Sequence, residues 1–351
     1  MLDQARIESF AHRMIGDLGA AQAGVLTNLG HKLGLYRTMT GAGALTASEL
    51  AERAGLAERY VREWLNVQAA GGYVDYDADA DAYRLPDEHA LVLSNPESPV
   101  FMAPAFDVAA AMWRSEDRLR EAFASGDGIG WHEHHECLFC GTEAFFRTAY
   151  RAHLVPDWLP ALDGVHDKLL AGARVADVGC GHGASTILLA QAYPRSQFIG
   201  FDYHAESIAV ARERARDAGV EDRVHFEVAS ATGYPGKPYD LICFMDTLHD
   251  LGDPVGAARH ARESLAEDGT VLLVEPAAGD QVSDNLHAIG RAFYAASTAL
   301  CTANSLSQEV GLALGAQAGP RRLEAVMREA GFGRFRKATE TPFNIVLEAR
   351  L

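Results

Sequence analysis

Three alternating glycines and two acids form the strongest chemical signal in the chain. Gly179, Gly181 and Gly183 follow an apolar run that contains Asp177, and a helical pattern begins directly after them. Glycine permits φ > 0 and lets a ligand approach the main chain, and such a loop between a strand and a helix N-terminus is typical of a nucleotide site. Asp202 ends the next apolar run, where a carboxylate can accept hydrogen bonds from both ribose hydroxyls. These residues predict a site for a ribose-bearing cofactor.

Two classes of cofactor share this plan. Gly179-x-Gly181-x-x-Ala184 matches the relaxed dinucleotide fingerprint. A dinucleotide fold usually carries an apolar residue at the position of Asp177, however, and here the third glycine follows the second after two residues rather than three. The stretch instead resembles motif I of class I S-adenosylmethionine-dependent methyltransferases, (Asp/Glu)-x-Gly-x-Gly-x-Gly. The sequence therefore favours S-adenosylmethionine over a dinucleotide.

Composition and charge narrow the class of protein further. The 351 residues suffice for one large or two ordinary domains, and a hydrophobic fraction of 48% supports a sizeable core. No apolar run approaches the roughly 18 residues of a membrane span, and the N-terminus lacks the layout of a signal peptide. The five scattered cysteines indicate reduced thiols. We expect a cytoplasmic protein, and its net charge of −17 opposes nonspecific binding to nucleic acid.

Residues 1–100 have the pattern of a mainly helical domain with a winged helix-turn-helix. A capped helix is predicted at 45–55, a second helix at 56–68, and short strands at 73–76 and 83–85 on either side of an Asp-rich tip. DNA binding is disfavoured because the charges of the second helix cancel and the tip is acidic, whereas a DNA-reading helix needs an excess of Lys and Arg. We interpret this segment as the dimerisation domain of a homodimer.

Strands and helices alternate after residue 171, which is the pattern of a parallel sheet covered by helices. Residues 101–170 are predicted to form a helical linker that contributes to the substrate pocket, and residues 171–351 the cofactor-binding domain, with an insert at 277–319. Helices are predicted at 185–193, 205–218, 255–267 and 321–330, and strands at 174–179, 197–202, 223–228, 239–245, 270–275, 333–339 and 343–349. The predicted fold class is α/β, a Rossmann-like sheet of seven strands with the last one antiparallel.

The whole chain resembles the bacterial, largely actinobacterial, methyltransferases that carry an N-terminal winged-helix domain and are related to the plant-type small-molecule O-methyltransferases. Residues 29–36 are similar to the dimerising helices of that group, residues 131–160 to its linker and residues 285–307 to its insert. The resemblance implies a homodimeric enzyme that transfers a methyl group from S-adenosylmethionine to a small-molecule acceptor. It specifies the cofactor better than the acceptor.

Several residues are candidates for cofactor binding. The glycine-loop amides are expected along the methionine tail and ribose, with Asp177 anchoring the loop and meeting the methionine ammonium. Asp202 is expected to bind the ribose diol by charge-assisted hydrogen bonds. Strand C-termini meet at one crevice in an open α/β sheet, which adds four residues and the tyrosine after Asp202 to the candidates: Tyr203, Ser230, Ala231, Met245 and Asp246. His182, inside the glycine loop, is expected to face solvent.

A histidine after the fourth strand is the candidate general base. Thr247–Asp253 resembles the His-Asp-Trp segment of plant-type O-methyltransferases, in which the histidine is the base; His249 is the matching residue, and Leu251 departs from the Trp. Glu275, at the end of the fifth strand, is expected to orient the imidazole. Histidine can take a proton from a hydroxyl as transfer proceeds, so oxygen is the preferred acceptor atom. The alternative acceptors are an amine and a carboxylate, and a carboxylate needs no base because it is already ionised. The alternative class of protein is a ligand-sensing transcription regulator that kept the methyltransferase fold.

The linker contains a cluster of histidines and cysteines that could suggest zinc. Cys137 and Cys140 have Cys-x-x-Cys spacing, but no second pair completes a known zinc pattern, so no metal is predicted. Substrate-pocket lining is the favoured interpretation. The candidates from the linker and the insert are Trp131, His132, His135, Phe139, Arg291 and Tyr294.

Overall fold

The chain forms two compact units. The computed structural model describes residues 2–236 and 238–351. The first unit comprises the residues up to Ala111 together with Cys140–Thr148, and the second comprises Met112–Phe139 together with Ala149–Leu351. No helix in the described ranges combines the length and the apolar character needed to cross a membrane.

The first unit contains a long helix followed by a winged helix-turn-helix. Thr46 and Glu49 form a capping box at the start of its third helix, because each side chain accepts a hydrogen bond from the other residue's backbone amide, at 3.3 Å and 2.8 Å. The elements from the N-terminus through the linker are α1 (Gln4–Lys32), α2 (Leu35–Met39), α3 (Ala47–Ala54), α4 (Glu58–Ala70), β1 (Asp75–Asp77), β2 (Ala82–Arg84), α5 (Asp87–Leu93), α6 (Ala105–Arg114), α7 (Glu116–Ser125) and α8 (Cys137–Ala149).

The core of this unit depends on a close approach between α1 and α4. The Trp64 indole donates a hydrogen bond to the Leu26 carbonyl at 2.8 Å, and its ring packs edge-on against Tyr36, with ring centroids 5.1 Å apart. A Cβ atom at Gly30 would lie 2.5 Å from that indole ring. Glycine at this position therefore lets the two helices meet.

Seven strands form the central sheet of the second unit, in the order β5-β4-β3-β6-β7-β9-β8. Every neighbouring pair is parallel except those that involve β9, which confirms the predicted fold class. The remaining elements are α9 (Val165–Ala171), β3 (Arg174–Val178), α10 (Ala184–Ala192), β4 (Gln197–Asp202), α11 (Ala205–Asp217), β5 (Val224–Val228), β6 (Tyr239–Met245), α12 (Pro254–Ser264), β7 (Leu265–Pro276), α13 (Ala288–Ala296), α14 (Thr302–Leu306), α15 (Gly319–Glu329), β8 (Arg334–Glu340) and β9 (Asn344–Arg350).

The direction of chain winding reverses at β3, which pairs with β4 on one side and β6 on the other. Ligands of open α/β sheets bind outside the strand C-termini at such a switch point.

The main difference from the predicted elements is at β7, which begins at Leu265 rather than near 270, so that α12 ends at Ser264. The insert contains α13, a π-helical turn over Ser297–Cys301 and α14.

Replacing Gly30 by alanine tests the close helix approach. We expect Gly30→Ala to destabilise the protein by about 1–3 kcal/mol, because the new methyl group overlaps Trp64 and forces a backbone shift. Gly19→Ala is the matched control in the same helix, where a Cβ meets nothing within 4 Å; it should stabilise by up to about 1 kcal/mol through helix propensity. Denaturant midpoints measure both, and equal effects would contradict the packing argument.

Candidate functional site

The glycine loop is held at the switch point by backbone contacts. The amides of Gly179 and Cys180 both donate to the Phe201 carbonyl at the end of β4, at 2.8 Å and 3.0 Å. Gly183 precedes α10 with φ of 77°, and a Cβ there would lie 2.5 Å from the Phe226 ring. Glycine is required at this position for both reasons. The loop therefore presents its main chain at the N-terminus of α10.

Asp177 connects the end of β3 to the start of α10. Its buried carboxylate accepts hydrogen bonds from the hydroxyls of Ser185 at 2.6 Å and Thr186 at 2.7 Å. Burial raises the pKa of this carboxyl, and the two hydroxyls oppose the rise. Neither residue was predicted to belong to the site, although two hydroxylated residues directly after a glycine loop are a readable signal. His182 was expected to face solvent, but it is buried.

Asp202 contacts the glycine loop from the neighbouring strand. One carboxylate oxygen accepts from the Gly181 amide and the other from the His204 amide, each at 2.9 Å. Burial raises the pKa of this carboxyl, while those amides lower it. Tyr203 is 46% exposed, so its ring lies at the rim of the crevice. Further along, Ala231 packs against the core while Ser230 is exposed, 3.4 Å from the Thr232 hydroxyl.

Two aromatic residues of the linker lie beside the residues that follow β4. The ring centroids of Trp131 and Phe139 are 5.8 Å apart, and those of Phe139 and His204 are 5.1 Å apart. The Trp131 amide also donates to the Asn304 side chain at 3.0 Å, and the Asn304 amide donates to the Asp250 carbonyl at 3.2 Å. Asn304 therefore connects the linker to the loop after β6, and it was not anticipated from the sequence.

His249 is buried between two carboxylates. Its Nδ1 lies 2.5 Å from Glu275 Oε2, and its Nε2 lies 3.1 Å from Asp250 Oδ1. The other oxygen of Glu275 accepts from the Leu248 amide at 3.0 Å, which fixes the carboxylate against the loop. Burial lowers the pKa of His249, but the charges of Asp250 and Glu275 outweigh burial and hold it well above the usual range. The Cys301 thiol lies against the same imidazole, and burial raises its pKa to about 12.

Asp246 forms a second polar network beside His249. It adopts φ of 52° and accepts hydrogen bonds from the Tyr150 hydroxyl at 2.8 Å and from the Asn344 side chain at 2.9 Å. Burial, followed by the charge of Glu275, raises the pKa of this carboxyl well above its ordinary value. Met245, just before it, is buried. Tyr150 and Asn344 were missed because they lie far from Asp246 in sequence.

Three of the other predicted substrate residues are exposed. His132 is exposed, and His135 is exposed with Arg114 2.9 Å from its Nδ1. Arg291 is exposed on α13. Tyr294 lines a polar recess together with Asn285, Gln317, Arg321 and Arg322.

Metal-type donors converge elsewhere than in the linker. Within the described part of the chain, the group of His, Cys, Asp and Glu donor atoms that lie within 4.8 Å of one another consists of His249, Asp250 and Cys301. The histidines and cysteines of the linker, from His132 to Cys140, do not form such a group there.

Two protein-family models match the chain. The Rv2258c-like winged HTH domain matches residues 21–95, and a methyltransferase domain matches residues 169–331. The 27-O-demethylrifamycin SV methyltransferase of Amycolatopsis mediterranei is 34% identical over 107 residues, which are 30% of this chain and 39% of that protein. The trans-aconitate 2-methyltransferase of Streptomyces avermitilis is 34% identical over 115 residues, 32% and 43% of the two chains. The matches thus span less than half of these curated relatives.

Solved structures match over nearly the full length. Mitomycin 7-O-methyltransferase superposes with a TM-score of 0.69 at 20% identity, covering 99% of this chain and 100% of that one. A methyltransferase of calicheamicin biosynthesis in its S-adenosylhomocysteine-bound form gives 0.68 at 18% identity, with 100% of both chains covered. Human N-acetylserotonin methyltransferase in complex with S-adenosylmethionine gives 0.69 at 17% identity, covering 99% and 98%. At these identities the likeness establishes the fold.

Proposed function

We propose that this protein transfers a methyl group from S-adenosylmethionine to a hydroxyl oxygen of a small molecule. The chain belongs to the class I S-adenosylmethionine-dependent methyltransferases with an N-terminal winged-helix domain. The observation that carries the proposal is the pairing of a glycine loop with Asp202 at the switch point of the sheet. The cofactor supplies the electrophilic methyl group. The residues of this chain bind it and prepare the acceptor.

The cofactor site rests on two acids and the loop amides. Asp202 faces the loop through the Gly181 amide, and carboxylate oxygens keep lone pairs for a ribose diol. Asp177 holds the start of α10 through Ser185 and Thr186, and its second oxygen accepts no hydrogen bond from a described residue. Asp246, Met245, Tyr203, Ser230 and Ala231 complete the proposed cofactor set. Negative charge along this crevice suits a cofactor that carries a sulfonium and an ammonium group.

Removing the Asp202 carboxylate tests the cofactor site. We expect Asp202→Ala to weaken binding of S-adenosylhomocysteine roughly 10- to 150-fold, the effect of losing a charge-assisted hydrogen bond of about 1.5–3 kcal/mol. Asp222→Ala removes an exposed acid outside the crevice and should leave the affinity unchanged. Titration calorimetry measures both variants. Tight binding of NADH by the unaltered chain, with no heat from S-adenosylhomocysteine, would overturn the proposal.

His249 is the proposed general base, with Glu275 as its positioning residue. In-line methyl transfer needs an acceptor lone pair held near the methyl carbon, and a hydroxyl must lose its proton as the bond forms. The Glu275 carboxylate accepts the Nδ1 proton, so that the ring is fixed and Nε2 remains for proton transfer. Because the pKa of the His249 imidazole is raised, it is closer to the pKa of a phenol. The acids that line the crevice favour a neutral acceptor over a carboxylate, because like charges repel.

Activity should therefore depend on pH and on His249. The base works when it is unprotonated, and its pKa is raised, so kcat should increase as pH rises from neutral through that pKa. We expect His249→Ala to lower kcat about 10²- to 10⁴-fold with phenolic acceptors, and His225→Ala, an exposed histidine on β5, to have no effect. Glu275→Gln removes a carboxylate that raises the pKa, so the rising limb should move to lower pH.

Transfer of labelled methyl groups to a panel of phenols, amines and carboxylic acids measures these effects. The hydroxyl proposal would be contradicted if a carboxylate or an amine were the preferred acceptor, the pH profile were flat and His249→Ala kept full activity. One of the two alternative acceptor classes would then replace it.

The alternative of a transcription regulator has less support, because the arginines of α4 are already paired. Arg59 pairs with Glu63, and Arg62 pairs with Glu58 and Asp81. A gel shift on genomic fragments at physiological salt tests it.

The first unit is proposed to serve as a dimerisation domain, and α1 as its contact surface. Apolar side chains recur along one face of α1 at helical spacing, and they are exposed in the single chain: Ile7, Phe10, Met14, Leu18, Val25 and Leu29. A contiguous apolar stripe of this kind marks a contact surface. A second copy of the chain can cover it symmetrically.

Charges introduced on this stripe should prevent dimer formation. We expect the unaltered chain to have the mass of a dimer in light scattering, and Phe10→Glu with Leu18→Glu to have that of a monomer, because buried like charges at an isologous contact repel. Ser9→Glu with Ala20→Glu, exposed on the opposite face of α1, should remain dimeric. A monomeric unaltered chain, or equal effects of both pairs, would contradict the assignment.

A further inference from the structure

Three side chains next to the proposed base have donor atoms of the kinds that bind zinc. One ligand atom each from His249, Asp250 and Cys301 lies within 4.8 Å of the other two, and His249 Nε2 is the nitrogen next to Asp250 Oδ1. We propose that these residues form a binding site for a thiophilic divalent cation such as Zn²⁺, with three protein ligands and an open fourth position. Binding at this site does not depend on the proposed methyl transfer.

The distance between the nitrogen and oxygen ligands is close to that of a tetrahedral site. Zinc bonds of about 2.0–2.3 Å to nitrogen, oxygen and sulfur place neighbouring ligand atoms about 3.3–3.6 Å apart, and His249 Nε2 is 3.1 Å from Asp250 Oδ1. This oxygen is shielded from solvent, and the Asp250 carboxylate interacts with both the His249 imidazole and the Cys301 thiol. The thiol also interacts with the imidazole, so the three side chains contact one another in pairs, as ligands around a shared centre do.

The surrounding contacts hold the ligands in place. Glu275 accepts the Nδ1 proton of His249, which directs the Nε2 lone pair towards Asp250 and Cys301, the usual arrangement of a metal-bound histidine. The Asp250 carbonyl accepts hydrogen bonds from Asn304 at 3.2 Å and Gln308 at 3.3 Å. Cys301 ends the π-helical turn over Ser297–Cys301, a local geometry that is frequent at functional sites.

The donor set selects the class of cation. Thiolate and imidazole together favour zinc, cobalt or copper, whereas magnesium and calcium prefer oxygen ligands alone. Thiolate and carboxylate also balance the two charges of the cation; on binding, the thiol proton and, near neutral pH, the Nε2 proton of the imidazolium both leave to solvent. A cation on Nε2 occupies the lone pair that the proposed base needs. If the proposed function holds, Zn²⁺ should therefore inhibit methyl transfer to a hydroxyl.

Cobalt titration tests the site with a spectroscopic readout. We expect one equivalent of Co²⁺ to give the visible bands of a tetrahedral ion together with a thiolate-to-cobalt charge-transfer band, and Zn²⁺ to abolish both. Cys301→Ser should remove the charge-transfer band. Glu275→Gln should keep it but weaken binding about 10- to 100-fold, since the histidine loses its orienting partner.

Two linker variants and one binding measurement make the result decisive. Cys137→Ser and Cys140→Ser should retain the band; loss of the band in either of them, with retention in Cys301→Ser, would assign cobalt to the linker and overturn the proposal. No charge-transfer band in the unaltered chain would also overturn it. Binding of S-adenosylhomocysteine to Cys301→Ser, by calorimetry, shows that the crevice stays folded. Failure of that ligand to bind the unaltered chain would count against the proposed function and leave the cobalt result standing.

Discussion

Carboxylates buried at the C-terminal edge of the sheet must each be met by hydrogen-bond donors. A buried charge without partners is costly, and the donors found here come from different parts of the second unit. Hydroxyls from α10 meet Asp177, backbone amides meet Asp202, and the imidazole and amide of the loop after β6 meet Glu275. Satisfying these acids holds the glycine loop, the start of α10 and the loop after β6 together at one edge of the sheet.

The strands and the antiparallel direction of the last one could be predicted because apolar runs alternate with helical patterns from 174 to the C-terminus. The start of β7 could not, because Leu265–Gly269 pairs through a bulged register at Tyr239 and lacks an apolar run. The acids of the crevice were identified because each ends a strand. Their partners were missed where they are distant in sequence: Tyr150 and Asn344 lie 96 and 98 residues from Asp246. Arg291 is exposed on α13, and its role in substrate binding stays a prediction, since helical spacing alone does not say which face meets a site.

The winged helix-turn-helix of the first unit has a surface charge unlike that of a DNA-binding domain. Its tip is acidic, and the arginines nearest to it are already paired: Arg84 with Asp75 at 2.9 Å and Arg62 with Asp81 at 3.2 Å. These exposed pairs add little stability, but they leave α4 without the free positive charge that a phosphate backbone attracts. Together with the exposed apolar stripe of α1, this surface is better suited to protein contact than to nucleic acid.

The hydrogen bond from Tyr150 to Asp246 attaches the start of a π-helical segment, Tyr150–Trp158, to the residue that follows β6. Burial and the charge of Glu275 raise the pKa of the Asp246 carboxyl, whereas this donor lowers it. The tyrosine hydroxyl therefore offsets part of the free-energy cost of enclosing one acid beside another. Position 150 thus needs a hydroxyl as well as an aromatic ring.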